Sequence, residues 1–534
     1  MNTFKTSLLI ISILCSINIF AQKNGNIRNW HHKDAKIDKF QGISTYRTYE
    51  ELLKGRTSKT VIVAIIDSGV DTTHEDLKGK FWVNENEIPC NGIDDDHNGY
   101  IDDIHGWNFL GNSKGDNILH ETLEITRVYN ELSNKYKDID TTELSKEEQK
   151  KYDFYKSVKK DFAKHYKEAK IEYDGFMQFN EIYNKTDSIV KEELKKEIYT
   201  TDELKSLTTS AEEAVKNSAF YLLNIYEKGF SLLEYASFKN HVEGEYKFHY
   251  NVDYNPRIII GDDPTNKNDS IYGNNDVMRP SNGHGTFVAG IIGANRENSN
   301  EASGIADNVK LMILRVVPDG DERDKDVANA IKYAVNNGAQ VVNMSFGKSY
   351  SPQKWMVDEA LKFAGNKKVL LIHAAGNESE NNDIKWHYPI NLSDSINSIT
   401  NYWIEAGASS LKANKSLPAF FSNYGQKNVD IFAPGVKIYS LEPGQKFEAA
   451  SGTSAASPVV CGVAALLMSY FPELSPLEIK EIILNSVIPF KKLKVYLPNK
   501  NEPKPKIVKF GTLSKSGGVV NAYNAVKMAI EKTK

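Results

Sequence analysis

Residues 60–66, Thr-Val-Ile-Val-Ala-Ile-Ile, form an unbroken β-branched and apolar run, and Asp67 follows directly. A run without polar alternation fits a strand covered on both faces, the situation of parallel sheets sandwiched between helices. Similar runs recur at 310–317, 340–344 and 368–374, with a shorter one at 429–433, and residues 326–336 between two of them have helical spacing. Strands alternating with helices predict an α/β fold, a mostly parallel central sheet with helices on both faces. In such folds sites form beyond the carboxyl ends of the strands, where Asp67 stands.

The character changes between residues 111 and 250, which are dense in Glu, Lys and Tyr and poor in Gly and Pro. Apolar residues there fall at helical intervals, so residues 112–250 read as an inserted α-helical module dividing the rest into 22–111 and 251–534. Thr200-Thr201-Asp202-Glu203 has the pattern of a capped helix start after a longer helical stretch through Leu194. A solvated charged face has the same composition, so the insertion does not by itself specify a binding surface. Residues 500–506 read as an exposed loop and 520–530 as a closing helix.

With 66 basic and 70 acidic residues in 534, the net charge of −4 gives no reason to expect nucleic acid or an anionic membrane as partner. Residues 1–21 place Lys5 before an apolar run and Ala21 at a cleavage point, the layout of a secretory signal. The run is short for a bilayer span, and no other stretch reads as one. The expectation is a secreted or periplasmic monomer with no membrane span in its mature form. Cys15 would leave with the signal; Cys90 and Cys461 then allow one bridge, or Cys461 is a small apolar residue on a buried helix.

Three motifs carry chemistry: Ile66-Asp67-Ser68-Gly69, Asn282-Gly283-His284-Gly285-Thr286 and Ser451-Gly452-Thr453-Ser454-Ala455-Ala456-Ser457-Pro458. A serine hydroxyl becomes a nucleophile at neutral pH when an imidazole takes its proton and a carboxylate orients that imidazole. Each residue has a plainer reading alone: Asp67 as a strand-ending turn, His284 as a structural helix start, the small residues around Ser454 as helix packing. Together, each at the edge of an α/β element, they point to one catalytic group.

These motifs, with Asp67-Ser68-Gly69-Val70-Asp71, Phe421-Ser422-Asn423-Tyr424-Gly425 and Ala433-Pro434-Gly435-Val436, resemble the subtilisin-like serine peptidases. The resemblance covers nearly the whole chain outside the signal and the insertion. It implies a three-layer fold and a secreted serine endopeptidase acting through an acyl-enzyme. Asp67 would orient the imidazole, His284 serve as base then acid, and Ser454 attack the scissile carbonyl. Asn377, in His373-Ala374-Ala375-Gly376-Asn377-Glu378, would donate to the oxyanion with the Ser454 backbone N–H. Ser345, Phe346 and Gly347 would pair with an extended protein or peptide substrate. With Ala374, Ala375 and Gly376 they would bound a roomy apolar side-chain pocket, trimmed by Phe346 and His373. No organic cofactor is implied. The other reading is a non-catalytic binding module on a degenerate peptidase scaffold.

Several positions depart from the family's pattern. Phe287 and Val459 replace family histidines, and Ala455 stands where many relatives have methionine. The stretch from Ala21 to Asp67 leaves no room for the usual folded inhibitory prodomain, so the insertion is expected to lie beside the cleft and restrict access.

Asp94-Asp95-Asp96-His97-Asn98-Gly99-Tyr100-Ile101-Asp102-Asp103 sets oxygen side chains at loop positions one, three, five and nine, with glycine sixth, as in calcium loops. Asp94, Asp96, Asn98, Asp102 or Asp103 and the Tyr100 carbonyl are candidate Ca²⁺ ligands, although position twelve is His105. A solvated acidic turn is the other reading. Asp76 matches a calcium ligand of the family by motif, whereas its companion loop, 295–303, matches poorly.

Overall fold

The computed structural model describes residues 28–142, 144–278, 283–296, 301–500 and 505–534; the signal, Asn282 and parts of 295–303 and 500–506 lie outside them. One sheet organises the larger unit, residues Asn26–Leu119 with Asn255–Lys534. Its strands are β1 (Val61–Asp67), β2 (Gly106–Asn108), β3 (Val309–Arg315), β4 (Val341–Met344), β5 (Leu370–Ala374), β6 (Trp403–Ser409) and β7 (Ile431–Pro434). The hairpin β8 (Ile438–Glu442) and β9 (Lys446–Ala450) stands apart from it, as does the pair β11 (Lys494–Tyr496) and β12 (Ile507–Lys509). With β10 (Ile488–Pro489) and β13 (Gly518–Val519) the sheet has nine strands in the order β10-β13-β7-β6-β5-β4-β1-β3-β2.

Every pairing in the sheet is parallel except β10 with β13. β1 lies between β3 and β4, with Asp67 level with Arg315 and Ile66 level with Met344. The apolar runs at 60–66, 310–317, 340–344 and 368–374 are therefore strands. β6 escaped the sequence reading because Glu405 interrupts its apolar pattern; its carboxyl is buried against His373 on β5.

Alternation along β1 divides the core. Val63 and Ile65 face the helices His284–Gly293 and Thr453–Tyr470, in a layer with Ile313, Ile404 and Ile431. Ala64 and Ile66 face the helices Asp324–Asn336 and Lys354–Asn366, with Leu314 and Met344. Fully burying each large aliphatic side chain contributes about 1.5–3 kcal/mol, and both faces must be covered before β1 is stable. Thr453–Tyr470 is apolar and long enough to cross a bilayer, yet 89% of it is buried in the protein. Cys461 sits on it, fully buried, and Cys90 is exposed; both are free.

Residues His120–Tyr254 form a separate compact unit. Its main helix, Lys146–Leu194, runs for 49 residues behind a capping box in which Ser145 and Glu148 bond each other's backbone. Thr200 and Glu203 form the same box at the head of Thr201–Leu207. Such caps satisfy N–H groups that have no partner inside the helix, each worth about 1 kcal/mol. Phe176, Phe179 and Tyr183 leave the long helix at helical spacing and pack with Leu204, Leu222 and Ile225 into an aromatic-rich core. Past this unit, Arg257 is buried in ion pairs with Asp262 and with Asp326, the latter at 2.7 Å.

Candidate active site

Asp67 is the last residue of β1 and is 1% exposed. Its Oδ1 accepts the Ser68 N–H at 2.7 Å and the His284 Nδ1–H at 2.8 Å. His284 is the first residue of its helix, 38% exposed at the side chain, with Gly283 preceding it. This contact needs the helix end to lie almost on the β1 turn, and Gly285 permits that. A Cβ there would fall 2.1 Å from the Gly69 carbonyl oxygen and 3.4 Å from Asp67 Oδ1. Ser68 Oγ completes the junction by accepting the Gly285 N–H at 3.3 Å.

Burial opposes a charge on His284, but the Asp67 charge and hydrogen bond, helped by Glu442, outweigh it and hold the imidazole above its ordinary range. Glu442, at the end of β8, was not found from sequence. Its carboxylate lies against Gly283, where a Cβ would meet Oε2 at 2.0 Å. Burial and the neighbouring Glu448 push it up to about 7, against the pull of His284 and Lys446.

Ser454 is the second residue of Thr453–Tyr470, among first-turn N–H groups that have no partner within a helix. Asn377 follows β5. Its Oδ1 accepts from the Thr453 backbone N–H at 2.8 Å and from Thr453 Oγ1 at 3.1 Å. A backbone N–H can only donate, so this bond assigns the amide: oxygen to Thr453, Nδ2 free to turn to the cleft. A Cβ on Gly452 would lie 2.8 Å from Ser454 Oγ and 3.7 Å from Asn377 Nδ2, so hydroxyl and amide flank one point. A cleft of about 350 Å³ is lined by His284, Ser454 and Asn377 together.

Phe346, Gly347, Ala374 and Gly376 also line it. Ser345 does too, but its hydroxyl is engaged by the nucleophile helix. It donates to the Ser454 carbonyl at 3.0 Å, meets Ser457 Oγ at 2.8 Å and accepts from Asn343 Nδ2 at 2.8 Å. Ala375 is a correction: it is fully buried and packs into the core with Val429 and Phe432, its carbonyl taken by Asn382 Nδ2 at 2.9 Å. His373 is also fully buried, behind the pocket wall rather than in it. Its Nε2 bonds the Phe346 carbonyl at 2.9 Å and its Nδ1 meets Glu405 at 3.0 Å, so it braces the two walls from behind.

The expected roomy apolar pocket is also corrected. His387 lies across it: a Cβ on Gly347 would meet His387 Nε2 at 2.3 Å, and one on Gly376 would meet His387 Cδ2 at 3.1 Å. Glu378 folds back over Gly376, and Asp321 and Glu322 line the cleft elsewhere. Small wall residues leave space, but side chains from other loops fill it with polar groups, which wall composition alone cannot show.

In the acidic loop, Asp96 and Asp103 converge with Glu87, their carboxylate oxygens within 4.8 Å of one another. Asn98 Nδ2 bridges Asp96 and Asp103, at 3.1 Å from each. Asp94 turns instead to the Asn98 and Gly99 N–H groups, and Asp102 to those of Asn91 and Gly92. Tyr100 packs its ring between Trp107 and Tyr333. Asp76 is buried in a short 3-10 turn, its carbonyl accepting from Asn295 at 2.8 Å. Glu87 lies outside the loop's alternating pattern, so the sequence reading missed it.

Residues 58–512, most of the chain, match the model of the subtilase family, peptidase family S8. The chain belongs to the subtilase family. Relatives of this subtilase include the thermophilic serine proteinase of Bacillus sp. (strain AK1), 32% identical over 248 residues, 46% of this chain and 52% of that one. Thermitase of Thermoactinomyces vulgaris is 35% identical over 197 residues, 37% of this chain and 64% of the other. Subtilisin BL of Lederbergia lenta is 34% identical over 206 residues, 38% and 70% respectively. The match thus spans about half the length of the Bacillus proteinase. Among solved structures, the prenylagaramide maturation protease PagA is 29% identical, covering 47% of this subtilase and 84% of that chain, with a TM-score of 0.37.

Proposed function

We propose that this subtilase is a secreted or periplasmic serine endopeptidase. The observation that carries the reading is the 2.8 Å Asp67–His284 bond at the edge of a cleft that Ser454 and Asn377 also line. Ser454 Oγ attacks the scissile carbonyl carbon while its proton passes to His284 Nε2, and Asp67 stabilises the imidazolium through Nδ1. The carbonyl oxygen becomes an oxyanion, received by Asn377 Nδ2 and the Ser454 N–H. Collapse breaks the C–N bond, and His284 returns the proton to the leaving amine. Water, deprotonated by the same imidazole, then cleaves the acyl-Ser454 ester and restores the hydroxyl.

Residues 345–347 continue past the last paired residue of β4; His373 holds the Phe346 carbonyl, and the backbone of Ser345 and Gly347 is what an extended substrate strand would pair with, a mode that tolerates varied sequence. A calcium ion fits the converging carboxylates: Glu87, Asp96 and Asp103 are hard oxygen donors with no nitrogen or sulfur ligand among them. They would hold it and it would supply local rigidity.

The test is labelling with a fluorophosphonate. Attachment to Ser454, absent in Ser454→Ala, is expected. Calcium-replete, processed protein that stays unlabelled is instead a binding module on a peptidase scaffold.

A further inference from the structure

One short stretch concentrates positive charge that the net value of −4 conceals. Residues 490–515 hold eight lysines and one acidic residue, Glu502. They build the ribbon of β11 and β12, which pairs Lys494 with Lys509, Val495 with Val508 and Tyr496 with Ile507. Val495 is fully buried in a cluster with Phe432, Phe510 and Val519, and Val508 packs against it. Side chains alternate across a strand and cross-strand partners share a face, so Lys494, Tyr496, Ile507 and Lys509 all point away from that core. Tyr496 is 37% exposed and Ile507 48%.

The lysines of this face are not matched by acids. Among the described residues of the stretch, the only ion pair is that of Lys515 with Asp430, at 2.6 Å. Lys494 and Lys509 stand directly opposite one another, and like charges so placed destabilise a ribbon. Lys415 joins them: its carbonyl accepts the Tyr496 N–H at 2.8 Å and its ammonium lies 5.9 Å from the centre of the Tyr496 ring. Lys491, Lys492 and Lys506 are exposed at the ribbon's ends. Lysine on an edge strand guards against pairing with other chains, but guarding needs no exposed apolar pair on the same face. A tyrosine and an isoleucine ringed by ammonium groups have the pattern of surfaces that lie in a bilayer's headgroup region.

We infer that the outward face of the β11–β12 ribbon docks this protein on an anionic phospholipid surface. Tyr496 and Ile507 enter the headgroup region, and Lys415, Lys494 and Lys509 meet lipid phosphates. The attachment is peripheral and reversible, needs no spanning helix and does not depend on the peptidase reading. An overall charge of −4 does not oppose it, because at physiological salt exposed charges more than about 8 Å apart are largely screened from one another.

The experiment is co-sedimentation of the purified protein with vesicles of phosphatidylcholine alone and of phosphatidylcholine mixed with phosphatidylglycerol. Binding is expected to the anionic vesicles only, and to be lost in high salt. Each lysine near such a surface contributes about fivefold to partitioning, so Lys494→Gln with Lys509→Gln should weaken binding about 25-fold. Removing the same charge from the long helix of the separate unit, by Lys160→Gln with Lys164→Gln, should leave binding unchanged; both of those lysines are exposed. Tyr496→Ser with Ile507→Ser should weaken binding at constant charge. No binding by the unaltered protein, equal binding to neutral vesicles, or an equal loss in the helix variant would each overturn the inference. Full binding by Tyr496→Ser with Ile507→Ser would overturn it too, since charge alone would then act and a soluble polyanion such as heparin would be the partner. Thermal melts check that each variant folds; where a ribbon variant does not, the lipid selectivity and salt dependence of the unaltered protein decide.

Discussion

Gly285→Ala is the sharpest test of how the site is assembled. The added carbon would sit 2.1 Å from the Gly69 carbonyl oxygen, whereas real Cβ atoms stay at least 3.0 Å from such a neighbour. Both groups are backbone, so no side chain can swing away. The histidine helix and the turn after β1 must part by about 0.9 Å, and that gap opens along the 2.8 Å bond between His284 and Asp67. A misplacement of about 1 Å at a catalytic group costs about 10²-fold in rate, or about 2.7 kcal/mol of transition-state stabilisation. Overpacking alone costs about 1–3 kcal/mol of stability, so the variant should still fold. Steady-state hydrolysis of a peptide substrate, beside a thermal melt, separates the two effects. A folded Gly285→Ala protein that keeps more than a fifth of the original kcat/KM would refute the claim that this close approach positions the imidazole.

Asn377→Ala should lower kcat by about 10²–10³-fold, a loss of about 2.7–4 kcal/mol measured for the equivalent donor in a subtilisin, a relative of this chain, with KM little changed. Because Asp67 and Glu442 hold the His284 cation, the acid limb of kcat/KM should have its midpoint above pH 6.5, and Glu442→Gln should move it lower. By the same sign, the stability that His284 contributes is full below about pH 6.5 and is lost as pH rises through its folded-state pKa, which a urea midpoint followed against pH will register. His373→Ala leaves the buried Glu405 carboxyl with only the Trp403 Nε1 hydrogen bond at 2.9 Å and should cost about 3–5 kcal/mol in denaturant unfolding. Chelation of calcium should lower the melting temperature, reversibly on adding calcium back, and less so in Glu87→Gln; no shift in either protein removes calcium from the loop. With Ala455 beside the nucleophile there is no thioether to oxidise, so activity should survive dilute peroxide, and rapid loss traced to the active site would contradict this.

Strands covered on both faces are legible as apolar runs, which is why β1, β3, β4 and β5 could be read directly along with the carboxylate at the end of β1. β6 was hidden because a tertiary partner, His373, lets Glu405 sit where the local pattern forbids a charge. The motifs placed His284 and Ser454 at helix starts because glycine and small residues mark such positions. The pocket floor was misjudged for a different reason. His387 comes from a loop beyond β5, and nothing local signals that its ring crosses between Gly347 and Gly376. Loop alternation in 94–103 marked Asp96 but put Asp102 at its ninth position, with Asp103 as the alternative to it; the structure turns Asp102 to backbone N–H groups and brings Asp103 to Asp96, and the third carboxylate, Glu87, joins them only through the chain's path.

β1 has both its neighbours far downstream: Val61 pairs with Val309, and Val63 with Val341. During synthesis its apolar ribbon emerges long before either partner exists, with both edges unpaired. Contacts of such high sequence separation close loops whose entropy must be lost before pairing is rewarded, and folding is correspondingly slow. Through that interval the nascent chain displays a sticky, β-prone segment of the kind that seeds aggregation. Interrupting translation anywhere before residue 309 therefore leaves β1 with no strand to pair with, and such fragments should be strong clients for holding chaperones.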